Sequence, residues 1–105
     1  MKTTTLEYLT LCMDGHVIVQ FMKRLADPDT GQEAFREPHR GVVPPLMSVE
    51  EALAQINANL VKDLRYPPLS DVDIKTVIAQ AEAWHRVPAV AATIANAKKA
   101  ALAPD

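Results

Sequence analysis

Leu9-Thr10-Leu11-Cys12-Met13-Asp14-Gly15-His16-Val17-Ile18-Val19 decides the fold of the N-terminal half. Asp-Gly between two β-rich runs is the strongest short-range hairpin signal, because a two-residue type I′ turn needs positive φ at both central positions. The flanks agree. Residues 3–13 are rich in Thr, Leu and Tyr, and residues 16–25 in Val, Ile and Phe. A two-residue turn pairs Met13 with His16, Cys12 with Val17, Leu11 with Ile18 and Tyr8 with Phe21. Directly opposed residues share a face. One face then carries Leu6, Tyr8, Cys12, Val17, Val19, Phe21 and Leu25, and it is the predicted core face. The other carries Glu7, Leu9, Leu11, Met13, His16, Ile18, Gln20, Met22 and Arg24.

Outward from the hairpin, Asp27-Pro28-Asp29-Thr30-Gly31 reads as a second turn. Pro28 pre-sets φ, Asp27 can bond back to the following amides, and Gly31 can take the left-handed conformation. A third strand follows at about residues 32–37, and Pro38 stops it or marks it as an edge. Residues 38–47, with Pro38, Gly41, Pro44 and Pro45, form a crossover. Ser48-Val49-Glu50-Glu51 is a capping box. Val49, Leu53, Ile56, Leu60 and Leu64 then recur at spacings of four and three, which predicts a helix over 49–64. Tyr66-Pro67-Pro68-Leu69 breaks it. Ser70 caps a second helix over 71–85, with Asp71 and Asp73 in the first turn, where the dipole favours negative charge. Pro88 suits the first position of a third helix, over 88–102, alanine-rich and with a thin apolar stripe. The fold class expected is α+β: a three-stranded antiparallel β-meander over 3–37 followed by two to three α-helices, in a single domain over 1–105.

Composition supports a packed domain. The chain has 105 residues, 49% hydrophobic and 23% charged, close to the globular average. Residues 1–47 hold five basic and six acidic side chains, and residues 48–105 hold six and seven. Each half is therefore at −1, and no basic lobe suggests nucleic acid. The one cysteine, Cys12, cannot close an internal disulfide. The N-terminus lacks a continuous apolar block of leader length, and the densest apolar run, residues 17–22, is far short of the ~20 residues that a spanning helix needs. Cytoplasmic residence is the expectation, with no membrane partner.

Chemistry-bearing combinations are sparse. Cys12 and His16 are spaced like metal ligands, but the hairpin places them on opposite faces and no second cysteine completes a zinc set. Glu82-Ala83-Trp84-His85 carries a Glu-x-x-His spacing once, whereas di-iron bundles use it twice with further glutamates. Three glycines leave no phosphate-cradling loop and no dinucleotide fingerprint. Glu50/Glu51 and Asp71/Asp73 are explained by capping. Arg24, Arg36 and Arg40 are candidates for a small basic patch, diluted by Glu7, Glu33 and Glu37. No catalytic residue, metal or cofactor is expected.

The layout is a hairpin, the Asp27-Pro28-Asp29-Thr30-Gly31 turn, a strand ending at His39-Arg40, and short capped helices around Tyr66-Pro67-Pro68-Leu69-Ser70. Over residues 4–85 it resembles small accessory proteins encoded by tailed bacteriophages. The resemblance implies a protein that acts by binding, in the virion or on a host protein in the host cytoplasm. It transfers no functional residue. The expected function is a non-enzymatic protein-interaction module, as a phage virion or assembly accessory protein. Its expected contact residues are Leu9, Leu11, Ile18, Met22 and Phe35, and its partner is a second copy or another protein. One alternative is a phage-encoded inhibitor of a bacterial host or defence protein. Another is a small enzyme or enzyme subunit using His39, Arg40 and His85.

Overall fold

The computed structural model describes residues 1–103. The elements are β1 (Lys2–Leu11), β2 (Val17–Ala26), β3 (Glu33–Val43), α1 (Val49–Lys62), α2 (Asp71–His85) and α3 (Pro88–Leu102). The strands form one antiparallel sheet in the order β1-β2-β3, the expected meander, and all three helices are present.

The first turn differs from the type I′ expectation by one residue. Leu11 pairs with Val17, Thr10 with Ile18, Leu9 with Val19 and Tyr8 with Gln20. The loop is closed by the Cys12 N–H donating to the His16 carbonyl, and the Gly15 N–H donates to the Cys12 carbonyl, both at 3.0 Å. Gly15 takes φ +98° whereas Asp14 has no positive φ. This is the three-residue hairpin in which a left-handed glycine follows an ordinary turn. Asp14 stabilises it by accepting the His16 N–H at 3.0 Å, and that bond holds its carboxyl below the usual range.

One extra loop residue flips β1 relative to β2. Leu9 and Leu11 therefore lie on the Val17/Val19 face, not opposite it, and Tyr8 lies on the other. A register shift between Leu6 and Tyr8 then restores the original parity, so that Leu6 pairs with Phe21 and Thr4 with Lys23. At this point the Leu6 N–H donates to the Asp73 carboxylate of α2 at 3.1 Å, while the Asp73 N–H is capped by Ser70 Oγ at 3.2 Å. The edge strand is thus tied to a residue in the first turn of the helix, whose own N–H is held by the cap. Asp73→Ala is expected to lose about 1–2 kcal/mol of stability in urea unfolding, the size of a partly buried charge-assisted hydrogen bond. Asp73→Asn, which keeps an acceptor, should recover part of it.

β3 runs on to Val43 and does not stop at Pro38. An edge strand tolerates proline because nothing beyond it asks for the missing N–H. The Asp27 turn has the expected geometry. Asp27 Oδ1 accepts the Asp29 N–H and the Asp27 carbonyl accepts the Gly31 N–H, both at 2.8 Å, with Gly31 at φ +73°.

The helices cover one face of the sheet. Val17, Val19, Phe21 and Val43 pack with Val49, Leu53, Ile56 and Leu60 of α1, and with Val77 and Ala81 of α2. Gly41 lets α1 approach, since a Cβ there would stand 2.6 Å from Ile56 Cδ1. Ser48 Oγ caps α1 through the Glu51 N–H at 3.1 Å. Lys23 is buried on the same side, ion-paired to Glu37 at 3.0 Å, and both it and Lys2 lie over the Tyr66 ring. α3 is held chiefly by Val90 and Ile94. The molecule measures 59 × 27 × 19 Å, and its radius of gyration is 16.3 Å where a compact chain of this size has about 13 Å. Residues 27–38 at the far end of the sheet are exposed throughout, as are the last residues of α3, where Leu102 is 86% exposed.

Candidate functional site: the open face of the sheet

The even-numbered side chains of β2 (Ile18, Gln20, Met22 and Arg24) point away from the helix-packed residues. Across the ladders they meet Thr10, Tyr8, Thr5 and Thr3 of β1, and Val42, Arg40, Pro38 and Arg36 of β3. The three arginines considered from sequence therefore do share a face, and Arg24 stands directly opposite Arg36. Glu33 joins them through the irregularity between Leu25 and Ala26. Its carboxylate is 3.2 Å from Arg24 Nε and 2.9 Å from an Arg36 Nη, and this hydrogen bonding raises the Arg36 pKa. Arg24 also donates to Thr5 Oγ1 at 2.7 Å.

At the centre sits Gln20, only 7% exposed although no helix covers it. Its Oε1 accepts from Tyr8 Oη at 2.7 Å and from Arg40 Nε at 2.9 Å, and its Nε2 donates to Glu7 Oε1 at 3.1 Å. Two donors on the oxygen and an acceptor at the nitrogen fix the amide's orientation, because the flipped form would set donor against donor. Around this network Tyr8 is 46% and Val42 47% exposed. The face is thus a polar lattice spanning three strands, edged with exposed apolar surface.

The expected contact residues do not stay together. Ile18 and Met22 lie on the open face, Met22 being 8% exposed between Thr5 and Pro38. Leu9 packs against the core, and Leu11 lies on the helix side with 41% exposure. Phe35 opposes Leu25 on that side too, 45% exposed beyond the helices. The hairpin loop length is the cause for Leu9 and Leu11. Tyr8, Gln20, Pro38, Arg40 and Val42 complete the face. Alternation along β2 already places Gln20 there, the parity of β3 counted through Pro38 would have added Arg40 and Val42, and Tyr8 arrives through the same loop length.

Two clefts lie elsewhere. One of about 200 Å³ between β3 and α1 is lined by His39, Arg40, Gln55 and Asn59 over Phe21 and Ile56. The other, about 610 Å³, lies between the 45–48 segment, α2 and α3, with Leu46, Met47 and Ile94 on its walls and Glu82, His85 and Lys98 among its polar groups. His39 and Arg40 thus line one cleft and His85 a different one, so the trio is not assembled. His85 instead places Nε2 2.7 Å from the Gly15 carbonyl, and the neighbouring Trp84 donates to the Cys12 carbonyl at 2.7 Å. Together they tie the end of α2 to the hairpin loop. Among the described residues no helix is long and apolar enough to cross a membrane.

Comparison of the chain with known protein families, with curated proteins and with solved structures finds no match to any of them.

Proposed function

We propose that the protein is a non-enzymatic protein-interaction module that docks a partner on the open face of its sheet. The observation that carries this reading is the one-sided packing. Among the described residues the helix contacts of the core cluster use one face, and the other presents Ile18, Val42 and Tyr8 around an oriented polar network. Exposed apolar surface gathered around fixed polar groups has the make-up of an interface more than of a solvated sheet. The setting is the one its layout resembles, a component of a phage particle or its assembly. An inhibitor of a bacterial protein would use the same face.

Light scattering across a dilution series tests the self-associating form directly. Ile18→Asp combined with Val42→Asp is expected to leave the fold intact, since neither side chain lies under a helix, and to convert any oligomer to monomer. An oligomer unchanged by the double variant would overturn the assignment of the face. A wild-type monomer at every concentration would reserve the face for a foreign protein.

A further inference from the structure

We propose that Arg40 is the anchor of this face, and that it captures a carboxylate on an extended acidic segment of a different protein. The inference rests on the docking reading above and adds the partner's chemistry.

The three open-face arginines are not equivalent. Arg24 and Arg36 share the Glu33 carboxylate. Arg40 bonds only through Nε, to Gln20 Oε1, and among the described residues its terminal nitrogens have no hydrogen-bond or ion-pair partner. Those nitrogens carry the four donors that grip a carboxylate in fork geometry. A long side chain normally loses rotamer freedom when it binds. Here Gln20 already holds the guanidinium, and Gln20 is itself held by Tyr8 and Glu7. Pro38 and Val42 lie two residues either side of Arg40 on the same face, and Ile18 stands opposite Val42. A strand with one acidic side chain between apolar neighbours two residues away matches that alternation.

Charge selects among occupants. Binding through phosphates uses several converging cations, whereas among the described residues this face has one guanidinium whose terminal nitrogens lack a partner, and it carries Glu7 and Glu33 beside it. A second copy stacking the same face would bring its own arginines against Arg40. Its Glu33 is already held by two of them, and its Glu7 is bonded to Gln20. A foreign carboxylate meets neither obstacle.

The test is a titration of isotope-labelled protein followed by NMR, reading the Arg40 Nε–H signal and the methyls of Ile18 and Val42. The probe is a blocked peptide alternating valine and glutamate, with its valine–glutamine counterpart as control. The glutamate peptide is expected to move all three signals and to bind about tenfold more tightly than the control, the scale of one charge-assisted hydrogen-bonded pair. Arg40→Gln should abolish that preference while the amide spectrum stays dispersed. Arg40→Lys should recover only part of it, because lysine cannot form the fork. Equal binding of both peptides overturns the anchor and leaves the docking face standing. No response of any signal to either peptide overturns the anchor, and if the wild type is also a monomer it removes the docking reading with it. Stronger movement of the Arg40 signal by oligothymidylate than by the glutamate peptide overturns it in favour of a phosphate ligand.

Discussion

Gly15→Ala is expected to destabilise the protein by about 3 kcal/mol, summing a left-handed backbone cost of about 1–2 and an overpacking cost of about 1–3. Gly15 stands at φ +98°, where an L side chain is strained. A Cβ added there would also lie 2.8 Å from Ile94 Cγ1 and 2.9 Å from Pro45 Cβ. The first contact belongs to α3 and the second to the segment before α1, so the variant pushes apart two connections that hold the helices to the hairpin. The control is Gly31→Ala. Gly31 has φ +73° but open space around its missing Cβ, so that variant should cost only about 1 kcal/mol of backbone strain. Urea midpoints of the two variants separate strain from packing. Equal losses would show that Gly15 matters for its backbone alone.

Phe21→Ala is expected to cost about 3–5 kcal/mol, the usual range for emptying a buried aromatic site. Phe21 is 1% exposed on the central strand, opposes Leu6 and His39, and its ring centroid lies 5.3 Å from that of His39 with the planes tilted by 37°. Against a total stability of about 5–15 kcal/mol for small domains, such a loss brings the protein close to unfolding at ordinary temperature. Ile18→Ala, three residues back on the same strand but on the open face, should cost under about 1.5 kcal/mol, since part of its surface is already in water. Thermal and urea unfolding of the pair checks which side of β2 is the core. Similar losses would mean that both faces are packed.

Much of the fold was legible because its signals are local. Ser48 and Ser70 each precede an apolar repeat, and each caps its helix through the N–H three residues on. Asp27 and Gly31 close their turn with bonds inside five residues. Val17, Val19 and Phe21 alternate strictly, and alternation alone placed them on the core face. The candidate site was less legible. Arg24 and Arg36 as cross-strand neighbours could be counted from the second turn, but the union of Tyr8, Gln20 and Arg40 could not.

Asp14-Gly15 is compatible with a two-residue and a three-residue loop, and the two differ by one step of register. One step moves Leu9, Leu11 and Tyr8 to opposite faces. The choice is settled where the hairpin loop meets the rest of the molecule, with Trp84 and His85 bonding to the Cys12 and Gly15 carbonyls and Ile94 packed on Gly15. The shift at Leu6 likewise coincides with a carboxylate 67 residues away in sequence. The sequence by itself determined the strands, the helices and their order, because caps, turns and periodicity act within a few residues. Only the tertiary structure decided which face of β1 is buried, whether β3 continues past Pro38, and which open-face arginine keeps its terminal nitrogens without a partner among the described residues, because each depends on contacts between segments distant in the chain.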